Sequence, residues 1–313
     1  MKESEIPTLS FIIPAYNCAS TLNECVTSII DQDLAIRFEI IIQDDASTDD
    51  TPMVLDRLSN AYPYLIRKGS NKKNLGGGAT RNVAISRSRG SILYMVDSDN
   101  VLSTGCVEPQ LSLLRRAQCD AVSVEHVSYF DADKNLPSMV WTMRHHNGVS
   151  SIEELFGSLH VPAGHGNYLY TRALYEKIGG YEEESGAMDT WIFGAKHLLR
   201  GFDIHIAPET HYYHRLSSNS YWMRQEALGL NDPYVIRFLN ENARSIPPHI
   251  RKTLTDLESD EPFFSYIDAG IFGMKGLPKN RRVRSIITRL VRLWRSRVLA
   301  RTRFRARSGE LAS

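Results

Sequence analysis

The stretch Gly90-Ser91-Ile92-Leu93-Tyr94-Met95-Val96-Asp97-Ser98-Asp99 decides the fold. The run from Ser91 to Val96 reads as a buried strand, and a buried strand cannot carry free carboxylates. Asp97 and Asp99 must therefore emerge at its carboxyl end, where open α/β sheets place their ligands. Two positions apart, they point to the same side. Oxygen ligands so placed suit a hard cation, Mg²⁺ or Mn²⁺, often shared with substrate phosphates. The competing reading is an Asp-rich turn, and the flanking sequence bears on the choice.

Working outward, Leu9–Pro14 and Phe38–Asp44 read as strands, the second centred on Ile40-Ile41-Ile42. Thr21–Ile30 reads as a helix capped by Ser20 or Thr21. Thr51-Pro52 opens another, since Pro is welcome at the first helical position. Gly76-Gly77-Gly78 precedes a helix over Ala79–Ser88, which Gly90 ends. This βαβαβ order argues for a mostly parallel sheet with helices on both faces. Further on, Ala121–Phe130, Asn167–Tyr170, Asp203–Ala207 and Thr210–His214 read as strands, and Thr171–Ile178, Asp189–Leu199 and 220–245 as helices. Gly164–Gly166 reads as a glycine-rich loop, and Pro247-Pro248 breaks the pattern. No internal repeat or low-complexity tract occurs.

A chain of 313 residues, 42% hydrophobic and 23% charged, reads as soluble and globular. No run of 18 apolar residues predicts a membrane span. Leu9–Ile13 stops at Pro14 and follows Glu3 and Glu5, so it reads as a first strand and not a signal peptide. Cys18, Cys25, Cys106 and Cys119 form no CxxC pair, which fits reduced thiols in a cytoplasmic enzyme. The net charge of +1 hides an asymmetry: residues 275–307 hold two Lys and eleven Arg with no acid. Removing those 13 from the 37 bases leaves 24 against 36 acids, an acidic body with a basic tail. In that tail Val283, Ile286, Ile287, Leu290, Val291, Trp294 and Val298 recur at helical spacing among arginines. The pattern is that of a basic amphipathic helix, read first as an anionic membrane-surface binder. The alternatives are docking on the acidic body and, least favoured, nucleic acid; no nucleic-acid partner is expected.

Acidic groups recur where such a sheet presents ligands: Asp44-Asp45 after the second strand, Asp97 and Asp99 after the central one, and Asp189 at a helix start. Arg81 lies near the first two sets, in Gly76-Gly77-Gly78-Ala79-Thr80-Arg81-Asn82. Carboxylates and an arginine at a strand-end crevice fit a nucleotide diphosphate held through a divalent ion. The glycine triplet is not a P-loop, because no Gly-Lys-Ser/Thr follows.

Five segments, in order, resemble the family 2 glycosyltransferases with the GT-A fold. They are Ser10–Asn17, Glu39–Asp49, Asn74–Asn82, Gly90–Asp99, and Gly179-Gly180-Tyr181 through Asp189-Thr190-Trp191 to Arg200-Gly201-Phe202. The resemblance covers about residues 9–220. It implies a Rossmann-like, mostly parallel sheet flanked by helices, followed by a basic amphipathic helical extension. The implied organisation is a nucleotide-sugar-binding half (1–100), an acceptor-binding and catalytic half (101–225), a helical segment (226–275) and the basic tail (276–313).

Carried over residue by residue, the resemblance places Pro14, Ala15 and Tyr16 at the nucleoside pocket and Asp45 on the base, a uracil N–H for a UDP-sugar. Arg81 would clamp phosphate, Asp97 would face the ribose or the metal, and Ser98 would belong to the same donor-binding set. Asp99 would ligate Mn²⁺ or Mg²⁺, with Asp97 and His214 as further candidate ligands, and Asp189 would be the base. The implied chemistry is inverting, metal-dependent hexosyl transfer to a glycan or lipid-linked acceptor in cell-surface glycan assembly. The setting would be cytoplasmic, peripheral on the inner membrane face through residues 276–313. Departures exist: Met188 stands where the family often has Glu, and the metal motif reads Asp-Ser-Asp-Asn. The processive members' Gln-x-x-Arg-Trp is absent, which argues for transfer of one or a few sugars. His165 is a candidate for the acceptor site; His145-His146 has no partner spacing that supports a metal. The rival readings are a sugar-phosphate nucleotidyltransferase and a non-catalytic nucleotide- or glycan-binding module. The first is opposed by Pro14-Ala15-Tyr16-Asn17 standing where a Gly-rich signature belongs, the second by the retained carboxylates.

Overall fold

In the computed structural model, which describes residues 7–143, 147–157, 162–216, 221 and 232–248, the expected alternation is observed. β1 (Leu9–Ala15), α1 (Leu22–Ile30), β2 (Phe38–Asp44), α2 (Thr51–Ala61), β3 (Ile66–Ser70), α3 (Gly77–Arg87) and β4 (Ile92–Met95) follow one another. Next come β5 (Val101–Leu102), α4 (Val107–Ala117), β6 (Ala121–Phe130), β7 (Met139–Thr142), β8 (Val149–Ser150), α5 (Ile152–Gly157) and α6 (Pro162–His165). The described part closes with β9 (Leu169–Thr171), α7 (Arg172–Ile178), a 3₁₀ turn (Gly186–Met188), α8 (Asp189–Leu199), β10 (Ile204–Arg215) and α9 (Asp232–Glu241).

One sheet runs in the order β3-β2-β1-β4-β9-β6-β10-β5, with β7 beside β6 and β8 beside β10. Its first four strands are parallel, pairing Ile12 with both Ile41 and Met95. Antiparallel β9 joins β4 to β6, which pairs in parallel with β10. Leu9, Phe11 and Ile13 enter one core with Leu22, Cys25, Val26 and Ile29 of α1, while α3 lies against β1 and β2. Phe11 stacks on Tyr94 at 5.5 Å, locking β1 to β4 in the middle of that core.

Several expectations shift in detail. Thr21 occupies the cap position of α1, but its hydroxyl donates to the carbonyls of Cys18 and Ser98 and caps nothing. The helix expected at Ala79 begins at Gly77, so two glycines of the triplet lie inside α3. The strands expected over Asp203–Ala207 and Thr210–His214 are one strand, β10, bulged between Ala207 and His211 with Glu209 at φ 59°. The loop expected at Gly164–Gly166 begins as the last turn of α6. Of the helix expected over 220–245, Tyr221 and residues 232–245 fall within the described residues, and α9 ends at Glu241 with turns over 242–245; His145-His146 and the basic tail lie outside them.

Candidate active site

Parallel pairing brings the carboxyl ends of β1, β2 and β4 to one edge, and each ends in residues the sequence had singled out. Ala15 pairs with Asp44, and the next residue, Asp45, donates its N–H to the Ala15 carbonyl at 2.8 Å. Tyr16 stands at the mouth, 43% exposed, beside Pro14 and buried Ala15. Asn17, at φ 49°, ties this end to the Asp-rich turn: its N–H reaches Ser47 Oγ at 2.9 Å and its Oδ1 accepts from Thr48 N–H at 2.8 Å.

Asp45 is buried and its carboxylate is well supplied. Oδ1 accepts from Asn71 Nδ2 and the Leu75 N–H, each at 2.8 Å, and Oδ2 from the Gly76 N–H at 2.9 Å. The carboxylate therefore closes the segment that launches α3, and a ligand N–H at Asp45 has to share it with these donors.

The glycine triplet follows from close approach. Gly76, at φ 87°, turns the chain into α3 where an L side chain is strained. A Cβ on Gly77 would stand 2.6 Å from Arg81 Nη1 and 2.8 Å from Asp189 Oδ2. A Cβ on Gly78 would stand 2.1 Å from the Glu182 carbonyl oxygen. Only bare backbone lets the segment 181–189 lie against the first turn of α3, and that packing delivers Asp189 to Arg81 across 108 positions of sequence.

Arg81 is the centre of the site. Its Nη1 pairs with Asp189 Oδ2 and its Nη2 with Asp97 Oδ1 at 2.6 Å. Arg81 is 7% exposed and Asp189 4%, so a buried guanidinium and a buried carboxylate meet the half-buried carboxylate of Asp97. Arg81 Nε has no hydrogen-bond partner among the described residues, and the guanidinium lies 5.7 Å from the Tyr181 ring. Burial works against its charge and the two carboxylates overcome it, so the guanidinium stays protonated. Burial raises the Asp189 carboxyl; Arg81 opposes the shift, Asp97 adds to it, and the result lies above the usual range. Burial pushes Asp97 up too, but Arg81 and Asn167 hold it below the usual range.

Asn167 is the residue that sequence reasoning missed. Its Oδ1 accepts from the Asp97 N–H at 2.8 Å and its Nδ2 donates to Asp97 Oδ2 at 3.0 Å, gripping Asp97 by backbone and side chain at once. A carboxamide two residues after His165 gave no signal of this, because its partner lies 70 positions upstream. His165 belongs to the same tether. Its Nδ1 lies 3.2 Å from the Tyr212 hydroxyl and its Nε2 3.2 Å from Ser123 Oγ. Burial, then nearby His214, push it down to about 3, so it is neutral at ordinary pH.

Asp99 makes no ion pair among the described residues. Burial and then the neighbouring Asp97 raise its carboxyl to about 6. His214 packs at a tilt against Tyr129, ring centroids 4.8 Å apart, and its Nδ1 is buried without a partner among the described residues. Burial lowers its pKa against the pull of Asp97, which keeps the ring in the neutral form that ligates metals. Ser98 contributes its carbonyl to Thr21 at 3.1 Å, and Arg215 Nε donates to the Asp99 carbonyl at 3.2 Å while its Nη2 pairs with Glu24. Among the described residues no group of three His, Cys, Asp or Glu could by itself hold a metal ion. None of the described helices is long and apolar enough to cross a membrane.

Comparison with known proteins bears on the family and the fold. The model of the family described as Glycosyl transferase family 2 matches residues 10–179, more than half of the chain. Chondroitin synthase of Escherichia coli is 35% identical over 111 residues, covering 36% of this chain and 16% of that protein, so the chain spans a small part of this curated relative. Among solved structures, S. aureus TarS 1–349 in complex with UDP-GlcNAc superposes with a TM-score of 0.56 at 18% identity, covering 84% of this chain and 79% of that one. The mannosyltransferase PcManGT from Pyrobaculum calidifontis, in complex with GDP-Man and Mn²⁺, also gives 0.56 at 18% identity, covering 92% and 88%. At that identity the likeness establishes the fold, which is that of GT-A glycosyltransferases.

Proposed function

The chain belongs to glycosyl transferase family 2, and from that membership we propose that it moves one sugar at a time from a nucleotide-diphospho sugar, with UDP as the preferred nucleotide, to a hydroxyl of a glycan or lipid-linked acceptor. The observation that carries the reading is the gathering of Asp97, Arg81 and Asp189 in one ion-paired cluster at the carboxyl end of β4, with Asp99 beside it. Pro14, Ala15, Tyr16 and Asp45 border the nucleoside; Asp97, Ser98 and Arg81 face the ribose and diphosphate.

Asp189 is the base. Its raised pKa gives the carboxylate the proton affinity that general-base chemistry uses. It takes the proton of the acceptor hydroxyl as that oxygen attacks the anomeric carbon. The bond from that carbon to the diphosphate oxygen breaks on the opposite side, so one displacement inverts the configuration and no covalent nucleophile is needed. Its place in the first turn of α8 keeps the carboxylate near partial positive charge.

The residues fit a hard cation shared with the donor. Asp99 makes no ion pair among the described residues and is repelled by Asp97, and neutral His214 keeps a buried ring nitrogen without a partner among the described residues. Asp99, with Asp97 and His214 as further candidate ligands, would hold Mn²⁺ or Mg²⁺ together with the donor, and the ion would supply Lewis-acid neutralisation of the leaving diphosphate. Calorimetric titration with UDP, GDP, CDP and dTDP, with and without Mn²⁺, on wild type and Asp99→Ala tests this. Metal-dependent binding of one nucleotide, lost in the variant, is expected. Binding that ignores both metal and variant would remove the metal from the account.

A further inference from the structure

The site holds one guanidinium for two carboxylates, buried Asp189 and half-buried Asp97, and those carboxylates belong to different halves of the proposed reaction. Asp97 faces the donor and Asp189 serves the acceptor, yet each takes a separate arm of Arg81. In this arrangement the base is engaged by a cation and is not open to an incoming hydroxyl. The other guanidinium at this strand end, Arg215, is spent on Glu24 and the Asp99 carbonyl.

We propose that Arg81 is a positioning residue that couples the two half-sites: the donor's diphosphate draws the guanidinium away from Asp189, and only then is the base free. The inference rests on the reading of the donor as a nucleoside diphosphate sugar. Three features make the exchange feasible. Arg81 Nε is buried and unpartnered, so the guanidinium has an unused donor for a phosphate oxygen. The Tyr181 ring, 5.7 Å away and backed by Phe193 at 4.0 Å, gives the cation a surface to rest on as it shifts. Asp189, at the start of α8, keeps the helix's N-terminal field when the guanidinium leaves. The consequence is order: an acceptor hydroxyl meets a competent base only when a donor is already bound, which protects the base from unproductive engagement.

The test is equilibrium binding of UDP with Mn²⁺, which needs neither acceptor nor turnover. If Asp189 competes with the diphosphate for Arg81, Asp189→Asn binds UDP more tightly than wild type, by about tenfold, or about 1.4 kcal/mol. Removing a negative charge could tighten anion binding without any such competition, so the same change is made in Arg81→Ala. The coupling predicts that the gain vanishes there; generic electrostatics predicts that it persists. A second variant keeps every charge. In Gly77→Ala the new Cβ would stand 2.6 Å from Arg81 Nη1 and 2.8 Å from Asp189 Oδ2, both mobile side-chain ends, and so wedges the pair apart. It too is expected to bind UDP several-fold more tightly, and it replaces Asp189→Asn if that protein does not fold. UDP affinity unchanged or weaker in both variants, or a gain that survives in Arg81→Ala, overturns the coupling and leaves the donor assignment standing. No nucleotide binding by wild type or any variant overturns both.

Discussion

Replacing Gly78 with Ala sets two principles against each other at a site where the geometry says which wins. Gly78 lies in the first turn of α3 at an ordinary helical φ, and Ala in a helix is favoured over Gly by about 1 kcal/mol. The added Cβ, however, would stand 2.1 Å from the Glu182 carbonyl oxygen, 3.1 Å from its carbon and 3.3 Å from Asp189 Cβ. A carbon and an oxygen settle well beyond 3 Å, so the 181–189 segment must retreat by about 1 Å. The obstacle is backbone, which cannot rotate aside as a side chain can. Overpacking of this kind costs about 1–3 kcal/mol, which offsets the helical gain and leaves a net loss of up to about 2 kcal/mol. For a domain of this size that lowers Tm by up to about 8 °C. The functional effect is larger, because Asp189 moves with the segment, and a 1 Å misplacement of a catalytic group can cost about 10²-fold. Thermal unfolding and initial rates of sugar transfer on Gly78→Ala measure both. A Tm equal to or above wild type with unimpaired transfer would refute the argument that bare backbone here exists to seat Asp189.

Three further outcomes are expected. Asn167→Ala removes both contacts to Asp97 and leaves a buried N–H unpaired, at about 1–3 kcal/mol; transfer falls well beyond what unfolding explains, and equal activity in the folded variant would show that Asp97 needs no tether. His197 is fully buried among Tyr168, Tyr170 and Phe193 with neither ring nitrogen partnered, and burial lowers its pKa to about 3. The unfolded chain takes up a proton near pH 6.5 that the folded one refuses, so stability is full above that pH and falls below it, by about 2.3 kcal/mol between pH 6.5 and 4.5; His197→Phe should remove that share of the acid slope in denaturant titrations at several pH values, and an unchanged slope would contradict it. Deleting residues 276–313, with their run of arginines, should abolish sedimentation with anionic liposomes; retained binding would move the membrane contact elsewhere.

The sequence was most readable where one strand's burial could be judged from its own residues. Leu9–Ala15, Phe38–Asp44 and Ala121–Phe130 carry dense apolar runs and appear as strands at nearly the expected bounds. β3, Ile66-Arg67-Lys68-Gly69-Ser70, escaped notice because a strand at the sheet's end buries chiefly its first residue and tolerates charge along the rest. α4, over Val107–Ala117, was not read either, since its buried stripe of Val107, Leu111 and Leu114 includes the polar Gln110. At the site, the acidic positions were visible one by one because carboxylates after apolar runs are conspicuous. Their pairing was not. Arg81 meets Asp189 across 108 residues, and Asn167 meets Asp97 across 70, through the packing of loops against α3. A single sequence carries no record of such distances, so the guanidinium expected to clamp phosphate is found engaged with the two carboxylates.

Sugar transfer from a nucleotide-diphospho sugar with Asp189 as base is tested most directly by release of nucleoside diphosphate from UDP-glucose, UDP-GlcNAc and GDP-mannose in the presence of Mn²⁺, by wild type and Asp189→Asn. Wild type is expected to turn over one of these donors, a UDP-sugar first, and Asp189→Asn to be slower by at least about 10²-fold while still binding the nucleotide. Turnover that is undiminished in Asp189→Asn, or no turnover of any donor by a wild-type protein that binds none of their nucleotides, would contradict it.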